Sequence, residues 1–315
     1  MTNPTPQSKP DPAITSVSNV PKAALWMLGA VVAFTAMAIG GREAGGELNT
    51  FELMTYRSAI GLVLVVSIAW LSGTHTQIRV NRMPSHILRN VSHFAGQNLW
   101  LWAITVIPLA QVFALEFTSP LWVVVFAALF LGERLTWIKS VAGILGFIGI
   151  LMVLQPGTAP ISLGMVAAGG AAIFFAITAI FTKRLTSDQS ITCILFWLTA
   201  IQLGLGLAFS LYDGHITLPS SAALPWVIVI ALGGLAAHFC LTSALTLAPA
   251  SVVIPIDFVR LPAIAILGVI LYDETLQIGI LAGAALILGA NYMNVLSEHR
   301  RSRNTSRTAR TARVP

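Results

Sequence analysis

Four ionisable residues, Arg57, Glu116, Asp257 and Arg260, lie well inside apolar stretches of the chain. At a bilayer centre each costs roughly 2.5–3.5 kcal/mol on insertion scales. Two are cationic and two anionic, so internal pairing can offset that cost, and Asp257 and Arg260, three apart, share a helix face. His93 and Gln97, four apart, make a second polar stripe with Trp100, and His238 stands in a later apolar stretch. The chemistry open to this set is ion pairing, proton uptake and release, and hydrogen bonding to a polar cargo. Gln97, Asn98 and His238 suit hydrogen bonding between packed helices equally well. The chain has no His-Glu-x-x-His zinc pair, no Gly-x-Ser-x-Gly elbow and no phosphate-binding loop. No enzyme, metal site or cofactor is therefore expected.

The elements that carry these residues follow from composition. With 56% hydrophobic and 10% charged residues and a mean hydropathy of +0.81, lipid has to be the solvent for most of the surface. A membrane helix needs roughly 20 apolar residues. Ten such runs are read at 23–41, 50–71, 87–107, 109–131, 137–155, 162–182, 190–211, 224–245, 251–271 and 276–295. With the N-terminus inside, Lys22, Arg79, Arg82, Arg89, Arg134, Lys139, Lys183, Arg184 and the arginine-rich end from Arg300 to Arg313 fall on the cytoplasmic side, and Arg42 outside. Both termini are thus expected in the cytoplasm and the protein in the bacterial inner membrane. The basic end lacks interleaved aromatics, so it suits anionic lipid and not nucleic acid. Cys193 and Cys240 both lie in expected spans and imply no disulfide framework.

The chain also repeats itself at an offset of 141 residues. Gly29, Phe34 and Ala38 match Gly170, Phe175 and Ala179; Pro108 and Val112 match Pro249 and Val253; Glu116, Phe117 and Glu133 meet Asp257, Phe258 and Glu274. Five spans per copy is an odd number, so the second copy enters the membrane from the opposite side. The expected fold is an all-α polytopic bundle of ten transmembrane helices in two inverted five-helix repeats. Its divisions are a disordered tail at 1–22, repeats at 23–157 and 162–297, and a basic cytoplasmic tail at 298–315.

Prolines interrupt matching spans: Pro120 in the fourth, four residues after Glu116, and Pro255 and Pro262 around Asp257 in the ninth. Such breaks in corresponding places point to a cargo site. Residue counts along each span place Arg57 and Glu116 at one outer depth, where they can meet. The same counts put Gln97 and His238 nearer the middle, and His93, Asp257 and Arg260 toward the inside. Glu133 and Glu274 sit at span ends and are read as anchors. Gly143, Gly146, Gly149, Gly279, Gly283 and Gly289 allow close helix approach, which packing within one chain and a homodimer face explain equally well.

The run from Ile107-Pro108-Leu109-Ala110 through Pro120-Leu121 to Leu131-Gly132-Glu133-Arg134-Leu135, with Gln155-Pro156-Gly157, has an echo in Ala248-Pro249-Ala250 and Asp273-Glu274-Thr275-Leu276. Together with Tyr56-Arg57-Ser58, these segments resemble the EamA-type drug/metabolite transporters over roughly residues 20–297. Two departures are internal: Leu198 stands where the second copy would match Arg57, and Asp273 where it would match Gly132. The resemblance implies a secondary transporter that moves a small polar or amphipathic metabolite, such as an amino acid, vitamin or nucleoside-like compound, by alternating access. Protons are candidate coupling ions through Glu116, Asp257 or a histidine. A channel or membrane scaffold is the other class considered, and an intramembrane enzyme a further one.

Overall fold

The computed structural model describes residues 19–131, 137–155, 160–186, 188–212, 214–247, 253 and 256–311, and among these all regular structure is helical. The first half holds α1 (Val20–Ala44), α2 (Thr50–Leu71), α3 (Met83–Val106), α4 (Leu109–Glu116), α5 (Ser119–Leu131) and α6 (Trp137–Leu154). The second holds α7 (Leu163–Leu185), α8 (Ile191–Ser210), α9 (Leu224–Leu247), α10 (Arg260–Tyr272) and α11 (Ile278–Thr311). The protein is a multi-pass membrane bundle built from two inverted five-helix repeats.

Local signals set the helix starts. Asn49 and Glu52 form a reciprocal capping box on α2, and Ser162 and Ser190 accept the N–H groups of Met165 and Cys193 at the starts of α7 and α8. Five described helices are long and apolar enough to cross a membrane by length and composition: α1, α2, the Leu163–Thr182 part of α7, α8 and the Leu224–Ala244 part of α9. Leu25, Val32, Val63, Phe147 and Ile270 stay exposed, as expected of surfaces solvated by lipid. α3 is equally long but polar, and it turns His86, Arg89, Asn90, Ser92, His93, Gln97 and Asn98 inward.

The repeats interlock. The most extensive interfaces join α1 to α9, α3 to α7, α6 to α11 and α2 to α8, so each pairs a first-half helix with a second-half helix. The 141-residue shift turns the α1–α9 pair into α7–α3, and maps α2–α8 and α6–α11 onto themselves. A pseudo-two-fold axis therefore passes between the members of each self-mapping pair. Gly149 and Gly283 face each other across α6 and α11, where a Cβ on either would come within 3 Å of the other's carbonyl oxygen. Gly146 packs on Leu121 and Gly279 on Gln155, so these four glycines serve packing within the chain, while Gly143 and Gly289 face open space.

Loops sort into two groups. Arg42, Glu43, Glu47 and Glu52 bond to Glu274, Tyr272, Ser220 and Thr217 at one end of the bundle. At the other end Arg79 meets Cys193 and Trp197, and Arg82 pairs with Asp188 at 2.7 Å.

Several expectations are corrected. The fourth span is two helices, with the break at Phe117–Thr118, before Pro120. Pro120 sits in the first turn of α5 and Pro262 in the first turn of α10, where a missing N–H costs little. The carbonyl of Phe117 at the break accepts a 2.6 Å hydrogen bond from Asn291 of α11, so the break is satisfied within the bundle. Pro255 and Glu133 lie outside the described residues. Arg89 is not a loop cation: α3 starts earlier than its apolar run, and Arg89 is 2% exposed, donating to Thr182 and Asn90 at 2.8 Å each. Helix α11 continues to Thr311, past the expected span end.

Candidate functional site

The two broken spans bring their acidic residues together. Arg260, at the first turn of α10, donates through Nη2 to Glu116 Oε1 and to Asp257 Oδ2, each at 2.9 Å. Glu116 closes the last turn of α4, and its other oxygen accepts the indole N–H of Trp100 from α3 at 2.8 Å. Three phenyl rings surround the guanidinium, with centroids 4.8 Å (Phe34), 5.1 Å (Phe113) and 5.2 Å (Phe117) from its central carbon. Such contacts favour a desolvated cation. Asp257 Oδ1 and Arg260 Nε are buried with no hydrogen-bond partner among the described residues, as is Gln97 Nε2 elsewhere on α3. A buried polar atom left unmatched costs about 1–3 kcal/mol, so this centre is under-satisfied as it stands.

A second cluster adjoins it. His93 Nε2 lies 3.2 Å from His238 Nε2, and His93 Nδ1 lies 2.7 Å from Gln202 Nε2. With the Gln202 amide donating, His93 accepts at Nδ1, carries its proton on Nε2 and donates that proton to His238. The ring of Phe34 stands between the clusters, edge-on to His238 at 5.6 Å and under Arg260 at 4.8 Å. Beyond the histidines, Arg57 is 6% exposed and gives one N–H to Met54 Sδ at 3.5 Å. It forms no ion pair among the described residues.

The expected depth layers are therefore overturned. Glu116 and Asp257 meet through Arg260, not one toward each face, and Arg57 does not join Glu116. Residue counting assumed unbroken spans; with breaks in both, the acidic residues sit at helix ends that converge near the bundle centre. His93 likewise joins His238 and does not lie in a layer below it. Sequence reasoning missed Phe34 and Gln202 as site neighbours, while it placed Trp100 on the stripe of His93 and Gln97. Trp102 lies at the surface, while Trp100 is buried on Glu116. The signal for Arg89 was present: His86, Arg89, His93, Gln97 and Trp100 continue one stripe at helical spacing.

The sequence pattern of the EamA-like transporter family matches residues 21–155 and again residues 162–296. The chain belongs to the EamA-like transporter family. Membership assigns it to membrane transport and not to catalysis. Among named relatives, a riboflavin transporter of Brucella anthropi is 32% identical over 291 residues, covering 90% of this chain and all of the relative. A riboflavin transporter of Vibrio cholerae is 29% identical over 84% of this chain and 90% of its own. An S-adenosylmethionine uptake transporter of Rickettsia felis is 25% identical over 87% of this chain and 92% of its own. A solved crystal structure superposes with a TM-score of 0.63 at 17% identity, covering 89% of this chain and 98% of the other, and supports the fold alone.

The EamA-like repeat accounts for the charge centre. Glu116 and Asp257 are equivalent positions in the two copies. Equivalent residues on different helices approach one another closely only near the pseudo-two-fold axis. Arg260 replaces Ser119 at the same offset, so one copy supplies the cation that joins both carboxylates.

Proposed function

We propose that this protein is a secondary transporter that carries a small metabolite with a planar heterocycle and a hydroxylated chain across the inner membrane by alternating access. Riboflavin is the first candidate cargo, because the relatives named as riboflavin transporters include one at 32% identity over its full length. S-adenosylmethionine, the cargo named for the Rickettsia felis relative, likewise joins a planar heterocycle to a hydroxylated five-carbon group. The observation that carries the reading is the Glu116–Arg260–Asp257 centre. It has unmatched polar atoms for hydrogen bonding to a cargo, Phe34, Phe113 and Phe117 for stacking, and a place at the breaks of two spans.

In this reading residues 23–157 and 162–297 are the two working halves, and both termini are cytoplasmic, which the basic C-terminal end supports. The His93–His238 pair is the coupling site for protons, since a shared proton between buried imidazoles can be taken up or released without moving a helix. The test is uptake of radiolabelled riboflavin by proteoliposomes, with unlabelled S-adenosylmethionine as competitor. Saturable uptake that Glu116→Gln reduces at least tenfold supports the proposal. Uptake of neither compound, with no stabilisation of the purified protein by either, rejects this cargo class.

A further inference from the structure

We infer a second, separate binding site for a small monoanion, built around Arg57 on the pseudo-two-fold axis between α2 and α8. Arg57, Ser58, Gly61, Leu198, Thr199 and Gln202 line a small, partly open crevice, with Gly234 beside the guanidinium. Three pairs of these residues are equivalent under the 141-residue shift: Arg57 with Leu198, Ser58 with Thr199 and Gly61 with Gln202. The axis runs through the crevice, yet only one wall carries a charge.

Arg57 has five N–H donors, and its one hydrogen bond among the described residues is the long contact to Met54 sulfur at 3.5 Å. The other buried arginines are matched: Arg260 is held by two carboxylates, and Arg89 donates to Thr182 and Asn90. A buried cation without a counter-ion is unstable by several kcal/mol, so the arrangement calls for an anion. The backbone is shaped to admit the guanidinium, because a Cβ at Gly234 would come 2.6 Å from Arg57 Nε. Ser58 adds a hydroxyl to the lining. The space inside the crevice is about 10 Å³, room for about one water-sized group. It suits chloride or one oxygen of a carboxylate reaching in from the open side, and excludes a fused heterocycle with its chain. The charge centre is a different site, on α4 and α10.

Purified protein in nanodiscs, with no cargo present, is compared in chloride, acetate and gluconate, the last being too large for the crevice. Chloride or acetate raises the melting temperature by roughly 3 °C or more over gluconate, and chloride NMR lines broaden. Arg57→Gln abolishes both effects while still unfolding cooperatively, and Gly234→Ala weakens them by displacing the guanidinium. A response to chloride and acetate identifies a site for free anions. A response to acetate alone supports the site and assigns it to a carboxylate, not to a halide. Equal stability in all three anions with no line broadening, or effects that survive in Arg57→Gln, overturns the inference. Because no transport is measured, the result stands apart from whether riboflavin is carried.

Discussion

Glu116 and Glu274 hold opposite ends of the same short helix. At the last turn of α4, Glu116 pairs with Arg260, and at the first turn both oxygens of Glu274 accept the N–H of Leu109, at 2.9 and 3.1 Å. Arg260 opens α10 and Glu274 lies just beyond its end, so one segment of the second repeat clamps α4 along its full length. Eight residues of helix are about 12 Å long, which places the charge centre well below the loop that carries Glu274. Glu274 also pairs with Arg42, whose guanidinium lies 4.4 Å from the ring centroid of Tyr272.

The charge centre predicts an asymmetric mutational pattern. Arg260→Met leaves two carboxylates facing each other without a cation and destabilises the fold by about 3–5 kcal/mol, the range for stripping one partner from a buried pair. Glu116→Gln keeps the Asp257–Arg260 bond and costs about 1–2 kcal/mol. The double variant is more stable than Arg260→Met alone, and fluorescence-monitored melting of the purified protein checks the order.

Releasing the upper end of α4 opens the loop side of the bundle. In a background lacking Cys193 and Cys240, a cysteine at Ala110, a buried position, reacts slowly with a membrane-impermeant maleimide. Adding Glu274→Ala accelerates labelling about tenfold, matching loss of a helix cap worth about 1 kcal/mol together with the Arg42 pair. An unchanged rate shows that Glu274 does not restrain α4.

Proton coupling through the imidazole pair has its own signature. The groups facing it are Phe34 from α1, Arg57 from α2, Arg89 from α3, Phe175 from α7 and Gln202 from α8. His93→Gln and His238→Gln each abolish the acceleration of uptake by an imposed pH gradient while leaving cargo exchange within about twofold of wild type. Gradient dependence that survives both substitutions moves the coupling to Glu116 or Asp257.

Glu47 makes the loop end of the bundle acid-sensitive. The Ser220 hydroxyl and amide both donate to its carboxylate at 2.6 Å and hold its pKa below the ordinary glutamate value. A lowered carboxylate pKa favours the ionised, folded clasp. Its contribution is therefore complete above the unfolded value and disappears as pH falls through the lowered folded value. Amide exchange in the Thr217–Ser220 segment should stay slow at neutral pH and rise under acid conditions. Ser220→Ala should bring that rise to higher pH.

The spans, the repeat and its inverted sense were legible because hydropathy and a fixed offset are properties of the chain read in order. Partner choice was not. Arg260 was correctly set beside Asp257, a local relation three residues apart, but its bond to Glu116 depends on two helix breaks whose positions the prolines mark only to within a turn. Phe34 carries no polar signal at all, and its place between Arg260 and His238 emerges only once α1 packs on α9. Gln202 was visible as a polar residue within an apolar run, and its partner His93 came from the other repeat.

The interlocking of the halves also sets an order of events at the ribosome. α3 leaves the exit tunnel carrying Arg89, Asn90 and His93, while the groups that satisfy them, Thr182, the Trp197 carbonyl and Gln202, belong to helices not yet synthesised. Lipid cannot supply those hydrogen bonds. The nascent third span must therefore wait beside the insertion machinery, or at the wet face of the bilayer, until α7 and α8 emerge to cover it. A chain truncated before α7 would present that helix to the cell's quality control as an orphan.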